Sequence, residues 1–276
     1  MLVETHVHVV APDQAKYPRR VAQGVLGGWV RDLSTDDLVA LMNEAAIDRA
    51  VLVQAYGAYG ADNSYLADSV ARYPDRFAGV FAIDPLQSDA PEQIKYWTRE
   101  RGLRGARLVT LTQPELALSD PRLVSSFETI AALQIPLCVL TQFHQLPVLS
   151  GLLQRFPNVA VALDHMATPR LSGGPPYAQV TPLFELARFS NCYLKLSTVS
   201  IYAATAGRST SAEFFRRLVD TFGVRRLMWG SNFPATYDRS LKQQVELARQ
   251  QLSFLSAEEQ RWIFADTALS VWPSLR

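Results

Sequence analysis

Eight short runs rich in β-branched and aromatic residues recur along the chain, and each is followed by a stretch of helical periodicity. The runs lie near 2–8 (LVETHVH), 50–55 (AVLVQA), 77–83 (FAGVFAI), 105–110 (GARLVT), 136–141 (PLCVLT), 159–164 (VAVALD), 192–197 (CYLKLS) and 226–230 (RLMWG). Helical patterns fall at 36–46, 62–72, 90–101, 120–133, 145–155, 179–189, 211–222 and 240–254, with a last one at 257–270. Ser34 and Thr35 stand where the first helix needs a cap. Eight strand–helix units in about 250 residues predict an α/β fold, a (β/α)8 TIM barrel. It would form a single domain over 1–276 with an extra C-terminal helix. The competing fold is an open doubly wound sheet. That fold would carry a Gly-rich phosphate turn after its first strand, and HVVAPDQA is not one.

Composition narrows the function classes. The chain of 276 residues is 48% hydrophobic and 19% charged, enough apolar material for a sizeable core. Its net charge of +1 gives no electrostatic case for nucleic acid or an anionic membrane. No run approaches the roughly 18 apolar residues of a membrane span. The first strand begins at once and leaves no room for a signal peptide, so a cytoplasmic protein is expected. The two cysteines, Cys138 and Cys192, sit in apolar runs and read as reduced core residues. The expected partner is a small-molecule substrate. Exposed aromatics in the segment 11–33 would allow a homodimer.

The first strand, MLVETHVHVV, is unusual. Strict alternation would put Glu4, His6 and His8 on one face with Leu2, and Val3, Val7 and Val9 on the other. Two imidazoles and a carboxylate buried without partners would cost several kcal/mol. The strand therefore either turns a wet face to solvent or lines a site. In a (β/α)8 barrel the active site lies at the C-terminal ends of the strands. Those ends supply His6 and His8 from the first strand, Tyr56, Tyr59 and Asn63 after the second, and Arg107 from the fourth. They also supply His144 after the fifth, His165 after the sixth, Lys195 and Ser197 from the seventh, and Asn232 after the eighth. The sequence has only four histidines, and all four fall at such ends. One His at a strand end can be a satisfied core residue; four on one rim point to ligation or acid–base chemistry. A His-x-His pair with a third imidazole from across the barrel could hold Zn²⁺ or Mn²⁺ and acidify a water, and a remaining His could move the proton.

The motifs ETHVHVV, DNSYLAD, GARLVT, LLQRFPNVAVALDHMATP, CYLKLS and LMWGSNFPA together resemble the amidohydrolase superfamily, in particular its amidohydrolase-2 branch. The resemblance spans most of the chain. That branch includes lactonases, such as pyrone-dicarboxylate lactonase and sulfomuconolactone hydrolase, and metal-dependent decarboxylases. It implies that His6 and His8 are the paired first-strand histidines and that His165 polarises the substrate carbonyl or activates water. His144 falls where some members have a fifth-strand metal ligand, so His6, His8 and His144 form the implied metal set. Asn232 departs from the pattern, because the branch usually has Asp there as ligand and base. Asn cannot take a proton at neutral pH. It could be the residue of a subgroup that uses His165 as base, an engineered Asp-to-Asn change, or a sign of a barrel that binds without turnover. Glu4 stands where Asp is common and is expected to act as a carboxylate partner that orients a ligating His. A divalent metal is expected, although the missing Asp weighs against it.

Arg107 suits a carboxylate or sulfonate if it faces the mouth, and Lys195 and Ser197 could hold a second polar group or pair with Asn232. In the long connection 11–33, Tyr17, Arg19, Arg20 and Trp29 could close over the site, with glycine hinges in GVLGGW. The expected activity is hydrolysis of a small, anionic lactone or related cyclic ester. The alternatives are nonoxidative decarboxylation of an aromatic or muconate-type acid and a non-catalytic ligand-binding barrel.

Overall fold

The computed structural model describes residues 1–20, 31–111 and 118–276. Eight parallel strands form one sheet in sequence order: β1 (Val3–Val7), β2 (Arg49–Val53), β3 (Phe77–Ala82), β4 (Gly105–Val109), β5 (Leu137–Leu140), β6 (Val161–Leu163), β7 (Cys192–Ser197) and β8 (Leu227–Gly230). Helices return the chain between them, so the fold is the (β/α)8 barrel. Among the described residues, two α-helical segments lie outside the helices expected from the sequence: Tyr56–Tyr59 and Thr198–Ala204. The second is nucleated by a reciprocal capping box of Ser197 and Ser200. Among the described residues, no helix is long and apolar enough to cross a membrane.

Alternation along the strands sorts the core into two layers. Ala50, Leu52, Phe81, Ala106, Leu108, Leu194 and Leu196 pack outward against the helices. Val51, Val53, Ala78, Val80, Cys138, Ala162 and Met228 face inward. The C-terminal segment closes this interior, where Trp272 and Leu275 pack with Val3 and Val51. The Trp272 ring lies so close to Gly105 that a Cβ there would meet Nε1 at 3.1 Å, so a larger residue at the base of β4 would have to displace the ring by a few tenths of an ångström. Both cysteines are free and buried, and burial pushes their thiols up to about 11 for Cys138 and about 12 for Cys192.

β1 breaks strict alternation. Val3 pairs with Arg49 and Glu4 with Ala50, but Val7 pairs with Leu52, so β1 carries one extra residue against its neighbour. Val3 accordingly joins the inner layer while Val7 joins the outer one. Glu4 therefore does not share the face of His6 and His8, as an even strand would require. Its carboxylate instead lies in the seam between β1 and β8, accepting from the amides of His6 (2.7 Å) and Ser231 (2.8 Å). Thr5 Oγ1 donates to the Trp229 carbonyl at 2.6 Å, the Asn232 amide donates to the His6 carbonyl, and the His8 amide donates to that of Phe233. Side chains thus complete the closure of the barrel where the strand ladder is interrupted. A Cβ on Gly230 would come within 2.8 Å of the His6 Cβ, so this seam also depends on glycine.

Candidate active site

The bulge aims His6 and His8 inward at the C-terminal end of the barrel. There the rings of His6 and His8 lie 4.9 Å apart between centroids and those of His6 and His165 lie 4.5 Å apart. All three side chains are buried. His165 reaches this position through an uncommon backbone. His165, Met166, Ala167 and Thr168 have φ of 53°, 54°, 56° and 50°, four successive non-glycine residues in the left-handed region. Such a turn costs roughly 1–2 kcal/mol per residue. Burial of Met166 and Ala167 and a 2.9 Å bond from the Thr168 amide to the His165 carbonyl hold it. Strain of this kind persists where the surroundings over-determine it, commonly at functional sites.

Beneath the rings lies a buried charge network that sequence reasoning missed. Its centre is Asp164. Arg107 Nε donates to Oδ2 at 2.9 Å, Lys195 Nζ lies 3.1 Å from Oδ1, and His6 Nδ1 lies 3.2 Å from the same oxygen. Burial opposes ionisation of Asp164, but Lys195, His6 and Arg107 outweigh it and hold the carboxyl well below the usual range. Burial opposes charge on Lys195 too, and Asp164 more than restores it. A signal for Asp164 existed: it stands two residues after the inward-facing Ala162, in the same parity. Arg107 is opposite Cys138 in the ladder, which settles its direction as inward. Its guanidinium is engaged by Asp164 and by the Gln54 carbonyl at 3.3 Å. Lys195 and Ser197 turn to Asp164 and His165, not to Asn232.

The tautomers follow from the partners. His8 Nδ1 lies 2.7 Å from the Val53 carbonyl, an acceptor only, so Nδ1 carries the proton and Nε2 the lone pair. Burial, then Arg107, pushes His8 down to about 3, so its ring is neutral. Nε2 faces the Asn232 side-chain amide at 3.4 Å, whose other arm meets Thr236 Oγ1 at 2.9 Å. The structure sets Asn232 Oδ1 toward Nε2 and has Nδ2 donating to Thr236 Oγ1. With the His8 proton on Nδ1 this opposes two lone pairs, which the reversed amide rotamer relieves by letting the NH₂ donate to His8 and the oxygen accept from Thr236. His6 behaves differently. Its Nδ1 lies between the Lys195 ammonium at 3.3 Å and Asp164 Oδ1 at 3.2 Å. We assign the Nδ1 lone pair to the ammonium, which can only donate. The His6 proton therefore sits on Nε2, which is buried and has no partner. Burial drives His6 well below its usual value. His165 Nδ1 is 2.8 Å from Ser197 Oγ, and burial lowers the ring to about 4. Glu4 is pushed up to about 7 by burial, against the pull of its amide donors.

This donor set does not fit a dication. A metal needs several lone pairs aimed at one point and negative charge beside them. His8 offers a lone pair, but the Nε2 proton of His6 occupies the direction a ligand would need. Position 232 brings no charge, and the charge of Asp164 is shared between Lys195 and Arg107. Among the described residues, no group of three or more His, Cys, Asp or Glu side chains could hold a metal. The structure does not bring His144 to the other histidines. It is exposed on the short turn Phe143–Gln145, so the implied set of His6, His8 and His144 is not assembled.

The second strand's loop serves the fold. Asn63 Nδ2 donates to the carbonyls of Ala61 and Ala82, and its Oδ1 accepts from the Ala82 amide at 2.8 Å. That spends its hydrogen-bonding groups on backbone, against the expected substrate contact. Tyr59 accepts from the Ala11 amide at 2.7 Å, and Tyr56 opens the helix Tyr56–Tyr59, half-buried. In the segment 11–33, the Tyr17 hydroxyl donates to Asp68, Arg19 pairs with Asp32, and the Arg20 amide donates to the Ala58 carbonyl. Trp29 and the glycines of GVLGGW lie outside the described residues.

Comparison with known proteins places this barrel. The amidohydrolase family Amidohydro_2 matches residues 3–273. The L-fucono-1,5-lactonase of Burkholderia ambifaria is 30% identical over 209 residues, which cover 75% of this chain and 71% of that one. A candidate 2-pyrone-4,6-dicarboxylic acid hydrolase from Pseudomonas putida superposes with a TM-score of 0.83 at 23% identity, over 99% of this chain and 97% of that chain. An amidohydrolase of Burkholderia multivorans with bound zinc superposes with a TM-score of 0.73 at 24% identity, over 99% of both chains. At those identities the two superpositions speak for the fold. The family match over nearly the whole chain decides the rest: this protein belongs to the amidohydrolase family and is a hydrolase built on its (β/α)8 barrel.

Proposed function

We propose that this hydrolase opens a small, anionic lactone or related cyclic ester by adding water to its carbonyl. The observation that carries the reading is the buried, unpartnered Nε2 of His6, beside two further imidazoles and above two buried cations. A lactone carbonyl oxygen placed against it would receive the Nε2–H bond, and that bond strengthens as the oxygen becomes an anion. Lys195, through Nδ1, keeps His6 in the donating tautomer and supplies positive charge behind it. His165 is neutral at pH 7 and accepts the proton of the attacking water. The tetrahedral adduct then collapses, the ring C–O bond breaks, and His165 returns the proton to the leaving alkoxide. Asn232 holds the His8 ring in place and takes no proton. The lactonase name of the Burkholderia ambifaria relative supports a lactone as the substrate.

The zinc-bound neighbour keeps a metal-assisted route as one rival, and a 5-carboxyvanillate decarboxylase of the same fold with bound manganese keeps metal-dependent decarboxylation as another. The test is a screen of lactones and carboxylic acids with acid or carbon dioxide release as readout. It should be run on parent, His165→Ala and His6→Ala, with metal content measured alongside. Acid release from lactones that falls about 10²–10⁴-fold in both variants is expected. Unchanged turnover in both would sink the assignment.

A further inference from the structure

We infer that a cavity on the barrel rim, beside the end of the turn that carries His165, is a subsite for a carboxylate carried on the substrate, with Arg170 and His144 as its recognition groups. The inference rests on the lactonase reading and narrows its substrate class. The cavity, about 540 Å³, lies within the range of small-molecule sites. Its walls come from the segments that follow three consecutive strands: Leu111 after β4, Gln142 to His144 after β5, and Thr168 and Arg170 after β6. Thr168 is the last residue of the left-handed turn that carries His165 and is bonded to its carbonyl. The cavity therefore begins one short turn from a ring of the reaction centre.

Its chemistry is one-sided. A guanidinium, an imidazole, the amides of Gln142 and Gln179 and the Thr168 hydroxyl line it, with no acidic side chain among the described residues. Arg170 forms no ion pair among the described residues, in contrast to Arg107, which is occupied by Asp164 and a carbonyl. An exposed guanidinium with free donors beside an imidazole and two amides matches a carboxylate, whose four lone pairs need several donors at once. Phe143 and Val180 give the apolar surface against which a short carbon arm would lie. A substrate reaching from the His6 ring into this cavity would be a lactone bearing a second carboxylate, and its product a hydroxy-dicarboxylate.

The test compares a six-membered lactone carrying a free carboxylate with its methyl ester, in parent, Arg170→Gln and His144→Gln. Losing a charge-assisted bond should raise KM for the free carboxylate about tenfold in Arg170→Gln. Values of kcat, and both constants for the methyl ester, should stay unchanged. Equal changes for acid and ester, or no change for either, would overturn the subsite. If the parent hydrolyses neither lactone, the lactonase reading fails separately. Calorimetric binding of the ring-opened dicarboxylate then decides the subsite: weaker binding to Arg170→Gln than to parent supports it, and equal binding, or none to the parent, overturns it.

Discussion

Two asparagines stand at strand ends on opposite sides of the same rim, and they do different work. Asn63, between β2 and β3, gives both amide hydrogens and its oxygen to backbone groups of Ala61 and Ala82. Asn232, after β8, holds a left-handed backbone at φ 66° and turns its amide to the His8 ring. On the β2–β3 side the polar atoms of Asn63 are held by loop backbone, beside a cavity lined by Arg20, Asp62 and Asp84. On the side formed by β6, β7, β8 and β1, His6 Nε2 is buried with nothing to bond, over a carboxylate that two cations share. Position at a strand end is thus a weak criterion for function. The stronger one is unspent hydrogen-bonding capacity gathered among ionisable groups: His6 Nε2 and Asp164 Oδ1 stand together, whereas other unpartnered atoms, such as Ser126 Oγ and Trp272 Nε1, are scattered through the fold.

Lys195→Met would test that contrast most severely. It removes a buried cation from Asp164 and His6 and leaves the carboxylate with Arg107 alone. Breaking a buried pair in this way costs about 3–5 kcal/mol, measurable by denaturant unfolding. Without the ammonium, His6 is free to place its proton on Nδ1 toward Asp164, which leaves a lone pair on Nε2. Zinc uptake by the variant and not by the parent, read by elemental analysis, is the expected companion result. Equal zinc in both would show that Lys195 does not set the tautomer.

Acid should expose the same asymmetry next. His8, at about 3, and His165, at about 4, bind protons less readily folded than unfolded, where about 6.5 applies. Their contribution to stability is complete above pH 6.5 and is lost as pH falls, about 2 kcal/mol from each by pH 5. His6 moves the same way. Glu4 works in the opposite sense: its raised value, about 7, favours the folded state at low pH, and that preference is lost as pH rises from 4.5 toward 7. The parent should therefore lose on the order of 2 kcal/mol or more between pH 7 and 5, and Glu4→Gln should lose more over the same range. A flat profile in both would mean that the rings are not held neutral.

How much of this was legible in sequence depends on whether one element or two were needed to see it. Each strand shows its own apolar run, and the (β/α)8 order follows from eight of them; His6, His8 and His165 follow from the rule about strand ends. The bulge in β1 was not visible, because it is a relation between β1 and its neighbours. Glu4 looks like one more residue of an even strand until Ser231 and Gly230 are placed beside it. Asp164 was overlooked next to the more conspicuous His165, although the parity from Ala162 marks it as inward-facing. Asn63, and His144 as a metal ligand, were misjudged for the converse reason. A side chain at the right end of a strand can still be spent on the neighbouring loop, as Asn63 is, or turned outward by a helical turn, as His144 is. The helix Thr198–Ala204 contains β-branched Thr198, Val199 and Ile201, and its capping box decides against that propensity.

Asn63→Ala carries the smallest expected effect on chemistry, and it completes the comparison. The substitution leaves the carbonyls of Ala61 and Ala82 and the amide of Ala82 without the partner they have now. Stranding buried backbone groups costs about 1–3 kcal/mol of stability. Since both amide hydrogens of Asn63 are given to backbone carbonyls and its oxygen is buried against the Ala82 amide, kcat and KM of the folded fraction should stay within about twofold of the parent. Asn232→Ala is the control on the other side of the rim. It removes the amide that holds His8, so kcat should fall while stability changes less, because Asn232 is only partly buried and its own amide nitrogen still bonds the His6 carbonyl. If Asn63→Ala instead lowers kcat without lowering stability, the β2–β3 side is part of the reaction centre and the division of the rim drawn from its spent and unspent polar atoms does not hold.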